Sequence, residues 1–491
     1  MKPEFSNLRT SDAPETMPLC VDCDGTLIHT DLLFESFLIL IKSHFWLALC
    51  VPFWLLRHGK AATKLRIAAR VDIDVSLLPY STAVLEYVRQ HRARGRKVIL
   101  ATASAQSYAD AIALHLGCFD QVLATNDSEA RNLSAAAKAE RLDQLFGQGG
   151  YEYLGNSHDD LPVWQHAGRI AVANASAAVL NGARKLGPVE VVAAAPHSAL
   201  RASLKALRPH QWLKNILIFI PLAMSHRLAD TSLLQQSLLA FLSFGLCASS
   251  VYVLNDMLDI ESDRAHHRKK TRPFASGALP IPLGAALMCG TLALSIALLL
   301  LLPPLFAVMM AIYYTTTLAY SFRLKRQVVV DIMLLSGLYT IRILAGSAAT
   351  GIVPSFWLLS FSIFIFLSLA LVKRYAEMQA LAVRAKRVTS GRGYSVDDLA
   401  VLLALGAASG FSAIQVLALY INSPEINSMY RHPQFLWIIM PMMLYWISRI
   451  WLKTHRGEMH DDPVVFAAKD WQSLVIGVAV FAVALAASLD F

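Results

Sequence analysis

The sequence predicts a two-part molecule: a soluble part of strands and helices, followed by an all-α membrane bundle of nine helices. Two observations carry this. The 491 residues are 55% hydrophobic with a mean hydropathy of +0.46, too apolar for a soluble protein of this length. The hydrophobicity is also uneven: nine apolar runs crowd the stretch 212–489, whereas the earlier residues hold short apolar strands that end in polar groups. A boundary near residue 200 is expected, giving domains 1–200 and 201–491. The formal charge of +9 points, in a membrane chain, to basic loops and anionic headgroups and not to nucleic acid. Cys20 and Cys23 have CxxC spacing without a second pair, so no zinc site is expected, and a reduced compartment is the simple reading. Residues 1–18 are polar, with no apolar core behind a basic start, so no cleavable signal is expected.

The soluble part opens with a short apolar strand that delivers Asp22 and Asp24, followed by Gly25 and Thr26. A second strand, KVILATAS, ends around Thr102, a helix carries Lys138, and a strand and turn, YLGNSHDDLPVW, carry Asn156, Asp159 and Asp160. The DxDGT motif and these three later pieces, in this order and spacing, resemble the haloacid dehalogenase (HAD) superfamily, and the resemblance implies an α/β Rossmannoid fold with a helical cap. It also implies roles. Asp22 attacks phosphorus and Asp24 protonates the leaving oxygen. Thr102 and Lys138 hold the phosphate, and Asp22, Asp24, Asn156 and Asp160 surround Mg²⁺. The chain departs from the family at Asn156, where an acidic metal ligand is usual. An amide oxygen brings no charge, which leaves open both a working phosphatase and a catalytically silent domain.

Between the first two of these pieces lies the apolar stretch 34–56, long enough to resemble a membrane span. A single crossing would put Asp22 and Asp160 on opposite sides. The stretch is therefore expected to be a helical hairpin within a cap at about 32–70, broken near residues 42–44 and at Pro52. It either forms a buried cap core or dips into the bilayer interface, for which Trp46, Trp54, Arg57, His58 and Lys60 are suited.

The nine apolar runs cover roughly 212–229, 233–254, 281–302, 304–321, 328–349, 354–372, 398–421, 434–452 and 472–489. Loops after the even-numbered runs are rich in Lys and Arg, and those after the odd-numbered runs are not. The positive-inside bias predicts an inner-membrane, multi-pass protein with a cytoplasmic N-terminal domain and an outer C-terminus.

The second run leads into NDMLDIESDRAHHRKKTRPFASG, residues 255–277. Asn255, Asp259 and Asp263 stand four apart and would share one face of a continuous helix, with Asp256 beside them. Acids at such spacing repel unless something positive lies between them, and Mg²⁺ takes a few carboxylates together with substrate phosphates. Basic residues, Arg272 among them, follow at once. NDxxDxxxD followed by RPxASG resembles the first aspartate motif of the UbiA superfamily of intramembrane prenyltransferases, whose nine-helix bundle the polarity of the runs also resembles over 208–491.

Family members that use a lipid diphosphate carry a second acidic motif after the sixth run. Here Lys373 and Arg374 stand in that stretch, and cations bind a phosphate directly. With RPHQWLKN, YSFRLK and HDDPVVFAAKD, these residues resemble the decaprenyl-phosphate phosphoribosyltransferase branch. That resemblance implies transfer of 5-phosphoribosyl from phosphoribosyl pyrophosphate to polyprenyl phosphate. Asp256, Asp259 and Asp263 would hold Mg²⁺ (or Mn²⁺) on the pyrophosphate, with Asn255 and Arg272 in support. Lys214, Lys325, Lys373 and Arg374 are candidates for the lipid phosphate or the ribose 5-phosphate. Tyr320 and Arg342 are further substrate candidates, Arg342 with a structural ion pair as the competing role. Asp461, Asp462 and Asp470 would hold ribose hydroxyls or a second metal, or form a solvated loop. An aromatic or quinone prenyltransferase, and a lipid-binding scaffold with a silent HAD domain, are the alternatives. Lipid chain length and a possible homo-oligomer stay open.

Overall fold

The structure is a computed structural model that describes residues 17–126, 132–194, 198–383, 393–459 and 462–488. Six strands form one parallel sheet: β1 (Leu19–Val21), β2 (Val98–Ala105), β3 (Gln121–Thr125), β4 (Glu152–Gly155), β5 (Arg169–Ala175) and β6 (Val189–Ala194), in the order β3-β2-β1-β4-β5-β6. β1 is apolar throughout because helices cover both faces of the sheet. Its side chains alternate: Leu19 and Val21 enter one core with Val98 and Leu100, while Cys20 enters the other with Ile99, Tyr153 and Trp164. Cys20 and Cys23 are free, buried thiols. Strand order reverses between β1 and β4, and a parallel sheet opens a ligand crevice at the carboxyl ends of its strands at such a point.

The cap hairpin is present. Helix α1 (Leu32–Ser43) starts on Asp31, whose Oδ1 accepts the N–H of Leu33 at 2.8 Å, and ends at His44. A four-residue turn of helix, Phe45–Ala48, leads to α2 (Val51–Ala68). The second break falls at Leu49 and Cys50. Pro52 sits in the first turn of α2, where its missing N–H is tolerated. Gly59, at φ 76°, kinks α2. Helix α3 (Ala135–Phe146) lies beyond β3 and carries Lys138.

Among the described residues, eight helices are long and apolar enough to cross a membrane. They are α4 (Thr231–Leu258), α5 (Ile281–Leu299), α6 (Pro304–Phe322), α7 (Val330–Thr350), α8 (Phe356–Ala382), α9 (Leu399–Ile421), α10 (Ile439–His455) and α11 (Trp471–Ser488). The first of the nine apolar runs differs. It forms a 3₁₀ segment, Pro209–Phe219, opened by Pro209, and a short helix, Ile220–Met224, in whose first turn Pro221 brings no N–H.

By compactness the chain forms two units. The first is Met1–Leu207 with Val253–Leu287, and the second is Arg208–Tyr252 with Met288–Phe491. The stretch 253–287, which holds the aspartate motif, thus belongs to the compact unit of the sheet. The second unit has one core on α7, α8, α9 and α10 and another around Phe244, Phe306, Tyr313 and Ile341.

Candidate active sites

In the first unit, the turn after β1 places Asp22 and Asp24 at the crevice between β1 and β4. They line a cavity of about 360 Å³ with Lys60, Lys64, Lys138 and Asn156. Lys138 donates to Asp22 Oδ1 at 2.7 Å and to the Tyr153 hydroxyl at 2.7 Å. Thr26 Oγ1 lies 3.4 Å from Asp22 Oδ2 and 3.2 Å from Asn156 Oδ1, so those two oxygens converge. Gly25, at φ 80°, is required there: a Cβ on it would run into the Asn156 side chain. Asp24 accepts from the N–H of Leu32 at 2.9 Å and from Ser104 Oγ at 2.5 Å. Burial raises the Asp22 carboxyl to about 6, against the pull of Lys138. Burial, with help from Asp31, raises Asp24 to about 7.

Some sequence-predicted residues do other work. Asp160 Oδ2 accepts from the N–H groups of Asn156 and Ser157, both at 2.9 Å, and its Oδ1 accepts from Tyr153 at 2.8 Å. It braces the turn that presents Asn156, so a direct metal bond from Asp160 is not what this geometry favours. Thr102 is fully buried and its hydroxyl accepts the Ser104 N–H at 3.0 Å. Ser104, two residues on and on the same strand face, is the hydroxyl that reaches Asp24, and sequence reading missed it. It also missed Lys64, which donates to the Ala103 carbonyl at 2.8 Å. The side-chain oxygens of Asp22 and Asn156 are hard donors of the kind Mg²⁺ takes, though they bring a single charge.

In the same unit, the acidic stretch is not one uninterrupted helix. α4 ends at Leu258, and a short helix, Ile260–Ala265, begins after Asp259. The i to i+4 bonds persist, from Asp259 N–H to the Asn255 carbonyl at 2.9 Å and from Asp263 N–H to the Asp259 carbonyl at 2.8 Å. The side chains nevertheless separate. Arg272 Nη1 lies 3.1 Å from Asp256 Oδ1 and 2.6 Å from Asp263 Oδ2, while Asp259 turns to Lys42 at 3.6 Å. The expected three-acid metal face is therefore a two-acid pair with a guanidinium between them. Among the described residues, no three His, Cys, Asp or Glu side chains gather as a metal site. Two converging carboxylates still suit Mg²⁺, which completes its shell with water and substrate phosphates. Burial raises the Asp263 carboxyl, and Arg272 opposes the rise.

In the second unit, Asp462 is the hub. It accepts from Lys214 at 2.7 Å, Lys373 at 3.1 Å and the Tyr339 hydroxyl at 2.9 Å, and it caps the helix Pro463–Lys469. Burial would raise its carboxyl, but Lys373 and Lys214 hold it well below the usual carboxylate range. Two ammonium groups on one carboxylate leave a surplus positive charge. Arg374 does not join them. It is fully buried, 3.0 Å from Asp331, and also paired with Glu377, which makes it an internal strut. Arg342 meets no carboxylate among the described residues. Its Nε donates to Asn215 Oδ1 at 3.0 Å, and its guanidinium lies among the rings of Phe244, Tyr313 and Tyr339 at 5.2, 5.2 and 5.7 Å. Asp470 is bound by Arg449 at 2.7 and 2.9 Å. Tyr320 is half-buried near the end of α6, and Lys325 lies in the turn Leu324–Arg326. Asp461 lies outside the described residues.

Comparison with known proteins agrees with both halves. Residues 216–474 match the UbiA prenyltransferase family, and residues 19–165 match the haloacid dehalogenase-like hydrolases. The chain is 37% identical over 468 residues to the uncharacterized protein y4nM of Sinorhizobium fredii, a match spanning 94% of this chain and 90% of that one. It is 36% identical to the nodulation protein NoeC of Azorhizobium caulinodans, over 55% of this chain and 88% of NoeC. It is 39% identical over 195 residues to the decaprenyl-phosphate phosphoribosyltransferase of Mycobacterium tuberculosis, which covers 38% of this chain and 64% of that enzyme.

Proposed function

The chain belongs to the UbiA prenyltransferase family and carries a haloacid dehalogenase-like domain, and from that premise we propose that it transfers 5-phosphoribosyl from phosphoribosyl pyrophosphate to polyprenyl phosphate. It is a multi-pass membrane protein. The observation that carries the reading is the cluster of Lys214, Lys373 and Asp462, where surplus positive charge stands in place of a second acidic motif. Such a cluster suits a phosphate monoester, which binds cations directly. The similarity to decaprenyl-phosphate phosphoribosyltransferases supports the same choice.

The reaction forms a bond from a phosphate oxygen of the lipid to ribose C1 and breaks the bond from C1 to pyrophosphate. Lys214 and Lys373 hold the attacking phosphate. Asp256 and Asp263 are the carboxylates that would hold a divalent ion, and such an ion would supply positive charge for the departing pyrophosphate. Arg272 keeps the two acids together when no ion is bound.

The HAD-like domain then removes the 5-phosphate. Asp22 attacks phosphorus, the bond to the ribose 5-oxygen breaks, and Asp24 gives that oxygen its proton. Water next splits the aspartyl-phosphate while Asp24 takes a proton back, releasing inorganic phosphate. Lys138 orients Asp22, and Asn156 with Asp22 would supply ligands to Mg²⁺. The basic loops support a cytoplasmic site in a cell inner membrane.

The test is a purified protein supplied with Mg²⁺ and phosphoribosyl pyrophosphate. Pyrophosphate should appear only when polyprenyl phosphate is added, and the lipid should gain a ribose. Equal turnover with an aromatic acceptor and a polyprenyl diphosphate would overturn the reading. Asp22→Asn should let lipid-linked ribose 5-phosphate accumulate while transfer continues. Identical dephosphorylated product from both proteins would assign the HAD-like domain to scaffolding.

A further inference from the structure

We propose that the cap segment 45–56 lies in the bilayer interface, on the leaflet where α4 ends, and moors the HAD-like pocket to the membrane surface. The segment exposes a contiguous set of large apolar side chains: Phe45 at 50%, Trp46 at 79%, Leu49 at 59%, Phe53 at 57% and Leu56 at 88%. Side chains like these gain free energy on leaving water, so soluble surfaces seldom leave five together exposed. They are not the cap's own core. That core is Leu40, Ala48, Ile67 and Val71, on the opposite side of the same helices.

The position of the patch selects the occupant. Lys42, near the end of α1, donates to the carbonyl of Leu258 at 3.3 Å and lies 3.6 Å from Asp259. Leu258 is the last residue of the membrane-spanning α4. The apolar segment thus begins three residues after a contact with the end of a span, at the depth where hydrocarbon gives way to headgroups. Arg57, His58 and Lys60 follow it directly, the pairing of apolar and basic residues that anionic interfaces attract. The segment does not cross, because α1 and α2 return to the shared core at Leu40 and Ile67.

The arrangement has a consequence for access. Phe34 on α1 and Lys60 and Lys64 on α2 line the pocket. A phosphate ester borne on a lipid then meets that pocket without leaving the leaflet. The mooring itself holds whichever ester the pocket takes.

Cys50 is exposed and lies inside the segment, which supplies a native probe site. The full chain with Cys289→Ser is labelled there with an environment-sensitive fluorophore and placed in phosphatidylethanolamine and phosphatidylglycerol vesicles. A control carries the label at Leu114→Cys, on the face of the soluble domain, with Cys50→Ser and Cys289→Ser. The label at Cys50 should emit to the blue, resist aqueous iodide and be quenched by lipids spin-labelled high on the acyl chain, while the control does the reverse. Equal iodide quenching at both sites overturns the proposal. So does protection from both iodide and lipid quenchers, which would place a second copy of the chain on the patch.

Discussion

Glu35 and Arg264, 229 residues apart, form a buried two-pronged ion pair within the first unit. Arg264 Nη1 donates to Glu35 Oε2 at 2.9 Å and Nη2 donates to Oε1 at 2.5 Å, with neither side chain more than 5% exposed. Thr30 Oγ1 donates to the same Oε1 at 2.5 Å, and Arg264 Nε holds the Ala275 carbonyl at 2.9 Å. The pair ties cap helix α1 to the stretch that carries the aspartate motif. Close by, Gly277 at φ 73° packs where a Cβ would strike the His29 backbone carbonyl, so the joint is tight as well as charged.

Removing one partner leaves the other charged, buried and unpaired. Glu35→Ala should therefore cost about 3–5 kcal/mol of stability. The double variant Glu35→Ala with Arg264→Ala should cost less than the two single losses added together. Denaturant midpoints of detergent-purified protein measure both. A single-variant loss within about 0.5 kcal/mol would mean the pair carries little.

None of this was legible in the sequence. Glu35 sits between Phe34 and Ser36 in an apolar run, where periodicity registers only a cap helix, and its partner is far along the chain. Asp22, Asp24, Lys138 and Asn156 were legible because strand ends and turns fix their spacing locally. The membrane helices followed from hydropathy, a property of long windows, whereas the grouping of 253–287 with the sheet did not. Three of the candidate residues have partners that the sequence did not show, each remote in sequence or on the backbone. Arg374 resembles a ligand-binding cation until Asp331 on α7 is seen against it. Asp259 belongs to the acid face only until Lys42 draws it away. Asp160 resembles a metal ligand until two backbone N–H groups claim one of its oxygens.

Arg272 stands where the divalent ion is proposed to bind, between Asp256 and Asp263. Arg272→Met should leave two carboxylates repelling each other, so Mn²⁺ followed by electron paramagnetic resonance should bind at least as tightly as in the parent. Asp256→Asn should weaken Mn²⁺ and lower transferase turnover by about two orders of magnitude or more. Unchanged Mn²⁺ binding in Asp256→Asn would move the metal elsewhere.

Lys373 shares Asp462 with Lys214 but is the more exposed of the two lysines, with 32% of its side chain accessible. A substrate phosphate reaches it without dismantling the Lys214–Asp462 pair. Lys373→Gln should raise KM for polyprenyl phosphate about tenfold or more, as loss of a hydrogen bond to a charged group does, with a smaller change in kcat. An unchanged KM with a lowered kcat would make Lys373 a group that acts in the transition state.

The phosphatase step should have a narrow pH optimum, and Ser104 should set its alkaline side. Burial raises Asp22 to about 6 and Asp24 to about 7. Asp22 must be ionised to attack, so the rate climbs as pH rises through its titration. Asp24 must be protonated to serve the leaving oxygen, so the rate falls as pH rises through the second. A bell between these limbs is expected for kcat/KM with a soluble alkyl ester such as glycerol 3-phosphate, whose leaving alkoxide needs a proton. The hydrogen bond from Ser104 favours ionised Asp24, opposing burial and the Asp31 charge. Ser104→Ala removes that bond and should raise Asp24 further, moving the alkaline limb up by about one pH unit and leaving the acid limb in place. A shift of the acid limb instead would exchange the roles of the two aspartates. An alkaline limb that stays put in Ser104→Ala would assign it to a group other than Asp24.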